Sequence, residues 1–104
     1  MARPVHVNYY TMARKEKDSD EASEKFKAKL AEKLDGSKQK AIVLGPAKCP
    51  LYRLRGMYRR QILLKTQRIM DINQILAGWL RTERNFGLPA RIKIIVDIDP
   101  FDMM

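Results

Sequence analysis

The chain has 104 residues, 45% of them hydrophobic and 32% charged, with a formal net charge of +9. That length accommodates one globular domain and not two. A single cysteine and a single histidine exclude a disulfide framework and leave a structural zinc site without ligands. No apolar run is long enough to cross a bilayer, and no signal-peptide core is present. These features predict a cytoplasmic protein with no membrane partner, folded as one domain over residues 1–104, with residues 1–4 as a candidate disordered end.

In chain order, Val5, Val7, Tyr9 and Thr11 alternate with His6, Asn8, Tyr10 and Met12, a two-residue period that predicts a first strand over 5–14. The charged run from Glu16 to Ser19 should break it. Asp18 and Glu21 have the spacing of a capping box, and Ala22, Phe26, Leu30 and Leu34 then recur every fourth residue along one helical face. The spacing predicts a helix from about Ser19 to Leu34, with Gly36 past its end. Ala41–Leu44 reads as a short buried strand, turned by Gly45 and Pro46, with extended chain resuming near Leu51. Tyr58–Thr66 is the next predicted strand. Asp71 and Gln74 suggest a second capping box, after which Ile72, Ile75, Leu76, Trp79 and Leu80 line a helix ending near Arg84. A last strand is predicted over 91–98. The order β-α-β-β-α-β predicts an α+β ferredoxin-like sandwich, one sheet with two helices on one face.

The positive charge is segregated. Residues 1–35 carry eight basic and seven acidic side chains, and residues 71–104 carry four and five. Residues 36–70 carry nine basic side chains and no acid. A block of one sign sets up a local field that attracts polyanions, although such blocks also serve as solvated faces. Within it, Arg53, Arg55, Arg59, Arg60, Lys65 and Arg68 interleave with Tyr52 and Tyr58. Arginine grips phosphate with a planar, bidentate fork, and tyrosine stacks on unpaired bases. The same residue types also populate protein interfaces. Alternation along the strand puts Arg59, Gln61, Leu63 and Lys65 on one face and Tyr58, Arg60, Ile62 and Leu64 on the other. Arg59 and Arg60 are expected at the rim of the sheet.

Catalytic signatures are absent: there is no GxxxxGK[ST], GxGxxG or GxSxG. Cys49 has only His6 as a candidate base and reads better as a partly buried thiol. Asp97 and Asp99 share a strand face, a pair that could hold magnesium or do acid–base work but reads more simply as a polar strand end. An RNA-recognition motif would place K/R-G-F/Y-G/A-F-V-x-F/Y on the third strand. Arg55-Gly56-Met57-Tyr58-Arg59-Arg60-Gln61-Ile62 fits only its first two positions.

Three elements carry a family resemblance. They are Val43-Leu44-Gly45-Pro46-Ala47 with Pro50-Leu51, the stretch from Arg53 through Gly56, Tyr58 and Arg59 to Lys65, and the closing Ile95-Val96-Asp97-Ile98-Asp99-Pro100. Together they resemble the C-terminal domain of the primosomal protein N-prime (PriA) replication-restart helicases. The resemblance covers most of the chain and implies a parent that is an ATP-dependent 3′-to-5′ DNA helicase acting at stalled forks. It implies that this chain is the C-terminal domain alone, as a fragment or a short gene product. It further implies no cofactor and no catalysis here, since the parent's ATP and zinc motifs have no match. Forked or single-stranded DNA, single-stranded DNA-binding protein and other primosome proteins are the implied partners. Arg53, Arg55, Tyr58, Arg59, Arg60 and Lys65 are the candidate DNA contacts. Arg68, at the position of a family arginine after the third strand, is the candidate contact for the acidic tail of single-stranded DNA-binding protein. A domain that chiefly docks that tail, or the parent's helicase core, is the rival expectation.

Overall fold

The computed structural model describes residues 5–37, 41–66 and 69–99. Strand β1 (Val5–Ala13) leads into helix α1 (Glu16–Ser37), followed by β2 (Ala41–Leu54), β3 (Met57–Thr66), α2 (Ile69–Thr82), a tight turn at Arg84–Gly87 and β4 (Lys93–Asp99). The four strands form one sheet in the order β2-β3-β1-β4, every neighbouring pair antiparallel. This is the expected ferredoxin-like sandwich. The proposed end at residues 1–4 lies outside the described residues.

Both helices cover the same sheet face. Val7 and Tyr9 of β1 and Ile62 and Leu64 of β3 point into it and meet Phe26, Leu30 and Leu34 of α1 and Ile72, Leu76 and Trp79 of α2. All four apolar α1 positions singled out by periodicity, Ala22, Phe26, Leu30 and Leu34, are buried. Aromatic rings fill the centre. Phe26 stacks on Trp79 with centroids 5.4 Å apart, and Phe86 meets Trp79 edge-on at 4.8 Å. Phe86 and Asn85 hold left-handed backbone at φ 55° and 52°, a conformation that costs a non-glycine residue about 1–2 kcal/mol. Burial of the Phe86 ring offsets that cost. The Asn85 amide donates to the carbonyls of Pro89 and Ile92 at 3.0 and 2.9 Å, tying the turn to the approach to β4.

Three expected boundaries move. Helix α1 begins at Glu16, a turn early, so Asp18 and Glu21 lie inside it and form no capping box. The extra turn carries Ser19 onto β1. The Ser19 hydroxyl donates to the Thr11 carbonyl at 3.0 Å, and the Thr11 hydroxyl donates to the Ser19 carbonyl at 3.3 Å, both buried. Asp71 likewise lies inside α2, which starts at Ile69 and ends at Thr82. Finally, Gly45-Pro46 does not end a strand: β2 runs on through it to Leu54, with register shifts between Leu44 and Ala47 and between Lys48 and Arg53. Such irregularity is tolerated because β2 is an edge strand, where a proline forfeits no ladder bond on its open side. At Gly45 (φ 106°) a Cβ would stand 2.7 Å from the Gln61 carbonyl oxygen, so the strands approach too closely there for any other residue.

Candidate nucleic-acid interface

β2 and β3 are joined by a two-residue turn. Leu54 pairs with Met57, and Arg55 and Gly56 both adopt positive φ, 53° and 78°. That is the backbone a type I′ hairpin requires, and glycine at its second position supplies it without strain. The consequence is an exposed hairpin tip that carries Arg55 outward, with Arg53 and Tyr58 facing each other just behind it. The Arg53 guanidinium lies 5.3 Å from the centroid of the Tyr58 ring, close enough for a cation–π contact.

Alternation along β3 holds as the sequence predicts. Arg60, Ile62, Leu64 and Thr66 are buried towards the helices, and Arg59, Gln61, Leu63 and Lys65 lie on the open face. The neighbouring arginines therefore part company. Arg59 sits over the open sheet, its guanidinium 4.9 Å from the centroid of the Tyr10 ring on β1. Burial raises the Tyr10 hydroxyl above its usual range, with Cys49 and Asp97 adding to the rise and Arg59 opposing it. Arg60 turns the other way and is only 6% exposed. Its guanidinium pairs with Glu16 at 3.2 Å and lies 3.8 Å from Asp20, both in the first two turns of α1. This departs from the expectation for Arg60: it fastens α1 to the sheet and presents nothing outward. Neither arginine lies on an edge strand, because β3 is interior to the sheet. Sequence alternation placed the two on opposite faces but could not say which face the helices cover.

Lys65 also shares the open face, opposite His6 and Ile42. Six strand positions separate it from Arg59, roughly 20 Å, so it does not belong to the hairpin cluster. Its surroundings differ as well, with Ile42 58% and Leu44 45% exposed on the adjoining edge strand. Between the two ends, the Gln61 amide donates to the Asn8 side-chain oxygen at 2.5 Å. Arg68 and the side chain of Tyr52 lie outside the described residues.

The remaining chemical candidates are dispersed. Cys49 is buried, and burial pushes its thiol up, partly opposed by Arg59 and Arg60. His6 stands four positions along β1 from Tyr10, roughly 14 Å, at the far end of the sheet from Cys49. Asp97 on β4 pairs in register with Asn8 on β1, and among the described residues no three His, Cys, Asp or Glu side chains gather to hold a metal ion. No helix of the described residues is long and apolar enough to cross a membrane.

Sequence reasoning overlooked Tyr10 as a partner of Arg59, because their contact depends on β1 lying beside β3. The signal was present only as the two-residue period that puts Tyr10 on the same face as Asn8 and Met12.

Comparison with known proteins agrees with this architecture. A designed protein, De novo designed protein Foldit4, superposes with a TM-score of 0.60 over 93% of this chain and 97% of its own, at 11% identity, which speaks to the fold alone. Replication restart protein PriA from Treponema pallidum (strain Nichols) is 34% identical over 64 residues. That alignment takes in 62% of this chain and 9% of the length of that protein. The family model for the primosomal protein N C-terminal domain matches residues 9–101. That match runs from β1 past the end of β4, and by it the chain belongs to the family of primosomal protein N C-terminal domains.

Proposed function

We propose that this domain is the DNA-binding C-terminal module of a replication-restart helicase, gripping the backbone of branched or single-stranded DNA at stalled forks with the β2–β3 hairpin. The observation that carries the reading is the hairpin itself, which projects Arg55 at its tip and backs it with Arg53 on Tyr58 and Arg59 on Tyr10. Guanidinium groups held against aromatic rings are pre-oriented for phosphate, and the rings offer faces to unpaired bases. Arg60 is left out of the contact set, and Lys65 extends it along the open face. Family membership and the restart protein among the relatives support the cellular setting. In that setting catalysis resides in other domains of a cytoplasmic parent, and the partners are DNA and the other proteins of restart.

Binding dominated by phosphate contacts releases counterions and weakens steeply with salt. Titrating a labelled fork at about 50 and 200 mM salt should show that loss. An affinity indifferent to salt would sink the reading. A second reading is favoured by one observation, the exposed Ile42 and Leu44 next to Lys65. An acidic tail with apolar residues, such as that of single-stranded DNA-binding protein, would suit that patch. Arg68→Ala should then lose the tail while keeping DNA, and equal loss of both would indicate one shared surface.

A further inference from the structure

A second group of cations lies outside the basic block. Arg14 and Lys15 form the β1–α1 connection, and Arg91 lies just before β4. In sequence Arg14 and Lys15 adjoin the acidic start of α1, and Arg91 lies far along the chain. In the fold, β1 is flanked by β3 and β4, with Met12 paired to both Arg59 and Lys93. That register brings the end of β1, the start of β3 and the approach to β4 to one end of the sheet. There they enclose a cleft of about 570 Å³ lined by Ala13, Arg14, Lys15, Asp18, Met57 and Arg91.

The acids nearby already have partners, and one of them, Asp18, lines the cleft itself. Glu16 and Asp20 face Arg60, and Asp18 pairs with Arg91 at 3.4 Å. Among the described residues no carboxylate pairs with Arg14 or Lys15. The cleft thus keeps a surplus of positive charge. It also receives the N-terminus of the 22-residue α1, whose first intrahelical bond runs from the Ser19 amide to the Lys15 carbonyl at 3.1 Å. The amides of Glu16, Lys17 and Asp18 have no helical acceptor, and the helix dipole adds positive potential there. The Ser19–Thr11 bonds and the Arg60 pairs hold that helix end against β1 and β3, so the arrangement is fixed in advance.

We propose that this cleft is a phosphate site that takes a backbone phosphodiester of the same nucleic acid held by the hairpin. Arg14 and Lys15 supply charge, the α1 amides supply donors, and Met57, the first residue of β3, lends an apolar wall against a sugar. Asp18 orients Arg91 and limits the affinity of the site. The inference rests on the nucleic-acid reading above, and it widens the contact surface from a hairpin to one whole end of the sheet.

The test uses a labelled single-stranded oligodeoxynucleotide and fluorescence anisotropy over about 50–200 mM salt. The Arg14→Gln/Lys15→Gln variant should weaken binding and flatten the slope of log K against log salt by about 0.7, the value for one lost phosphate contact on a single strand. Asp18→Asn should do the reverse and tighten binding about threefold, the effect of removing one like-signed charge some 6 Å from a phosphate in water. A merely structural role for these side chains would not produce opposite signs. Wild-type affinity and slope in the double variant, with Arg53→Gln/Arg55→Gln still impaired, would overturn the cleft and leave the hairpin standing. Tighter binding in neither Asp18→Asn nor Asp18→Ser would also overturn it. Salt-independent binding by the wild type would overturn both. Preference of the cleft for an acidic peptide over the oligonucleotide, lost in Arg14→Gln/Lys15→Gln, would replace the phosphate by a protein partner and refute the proposal.

Discussion

Arg59 and Arg60 are adjacent in sequence, yet the structure separates them so fully that their substitutions should have opposite consequences. Arg60 is 6% exposed and stands against two carboxylates, whereas the Glu16 and Asp20 side chains keep 46% and 59% of their surface in water. Removing the arginine therefore strands no buried charge. Arg60→Met keeps most of the volume and the apolar stem, and replacing a paired buried ion by a hydrophobe of similar size should cost less than about 1 kcal/mol. Removing the acids is different, because the guanidinium stays buried without a counter-charge, keeping only the Arg59 carbonyl at 3.4 Å as an acceptor. A fully buried pair broken in this way costs about 3–5 kcal/mol, and solvent screening at the two carboxylates lowers the figure to about 2 kcal/mol. For a domain of this size that is a fall in Tm of roughly 10 °C. Urea unfolding followed by circular dichroism at 222 nm, applied to Arg60→Met and to Glu16→Gln/Asp20→Asn, gives both values. DNA affinity measured beside it should be unchanged in Arg60→Met. Arg59→Met should keep its stability and lose about 0.7 from the salt slope, one phosphate contact on a single strand. If Arg60→Met proved less stable than the double acid variant, or bound DNA as poorly as Arg59→Met, the division of labour drawn from the two strand faces would be wrong.

Three other outcomes follow from local geometry. Gly45→Ala forces a Cβ to 2.7 Å from the Gln61 carbonyl oxygen at φ 106°, so it should cost about 2 kcal/mol or more, read from the urea midpoint. Tyr9 buries its hydroxyl without a hydrogen-bond partner among the described residues, and burial raises its pKa far above the ordinary tyrosine value. Tyr9→Phe should then be neutral or stabilising by about 1 kcal/mol, and a clear loss of stability would reveal a partner for that hydroxyl. Glu83 accepts hydrogen bonds from Lys29 at 3.2 Å and the Trp79 indole at 3.0 Å. Chiefly through the Lys29 bond, its carboxyl is held below the usual range. A depressed folded value means stability that is present above the unfolded value of about 4.3 and is lost as pH falls through the lower one. Wild type should therefore lose more Tm between neutral pH and about pH 3 than Glu83→Gln does, and parallel curves would refute the link.

Much of the fold was legible because periodicity reports which face of an element is buried. The four α1 positions Ala22, Phe26, Leu30 and Leu34, the strand cores at Val7, Tyr9, Ile62 and Leu64, and the β-α-β-β-α-β order all follow from spacing alone. Helix starts were less legible. Asp18 has the spacing of a cap, but Ser19 gains more from two buried hydrogen bonds to Thr11, and that contact spans eight residues. The continuation of β2 through Gly45-Pro46 was hidden for a related reason: a proline is a local stop signal unless the strand occupies an edge, and strand order is a property of the whole sheet.

The sequence by itself determined that this is a small basic α+β domain with its charge excess in residues 36–70, and it displayed the motifs that the family match over residues 9–101 answers to. Those properties depend on composition and on short spacings along the chain. Only the tertiary structure decided which cations lie together. It withdrew Arg60 towards Glu16 and Asp20, set Arg59 on Tyr10, left Lys65 at the other end of the sheet and brought Arg14, Lys15 and Arg91 beside the hairpin. Each of those outcomes depends on which strands are neighbours and which face the helices cover. Such information resides in pairings between distant segments, where no local pattern of residues can hold it.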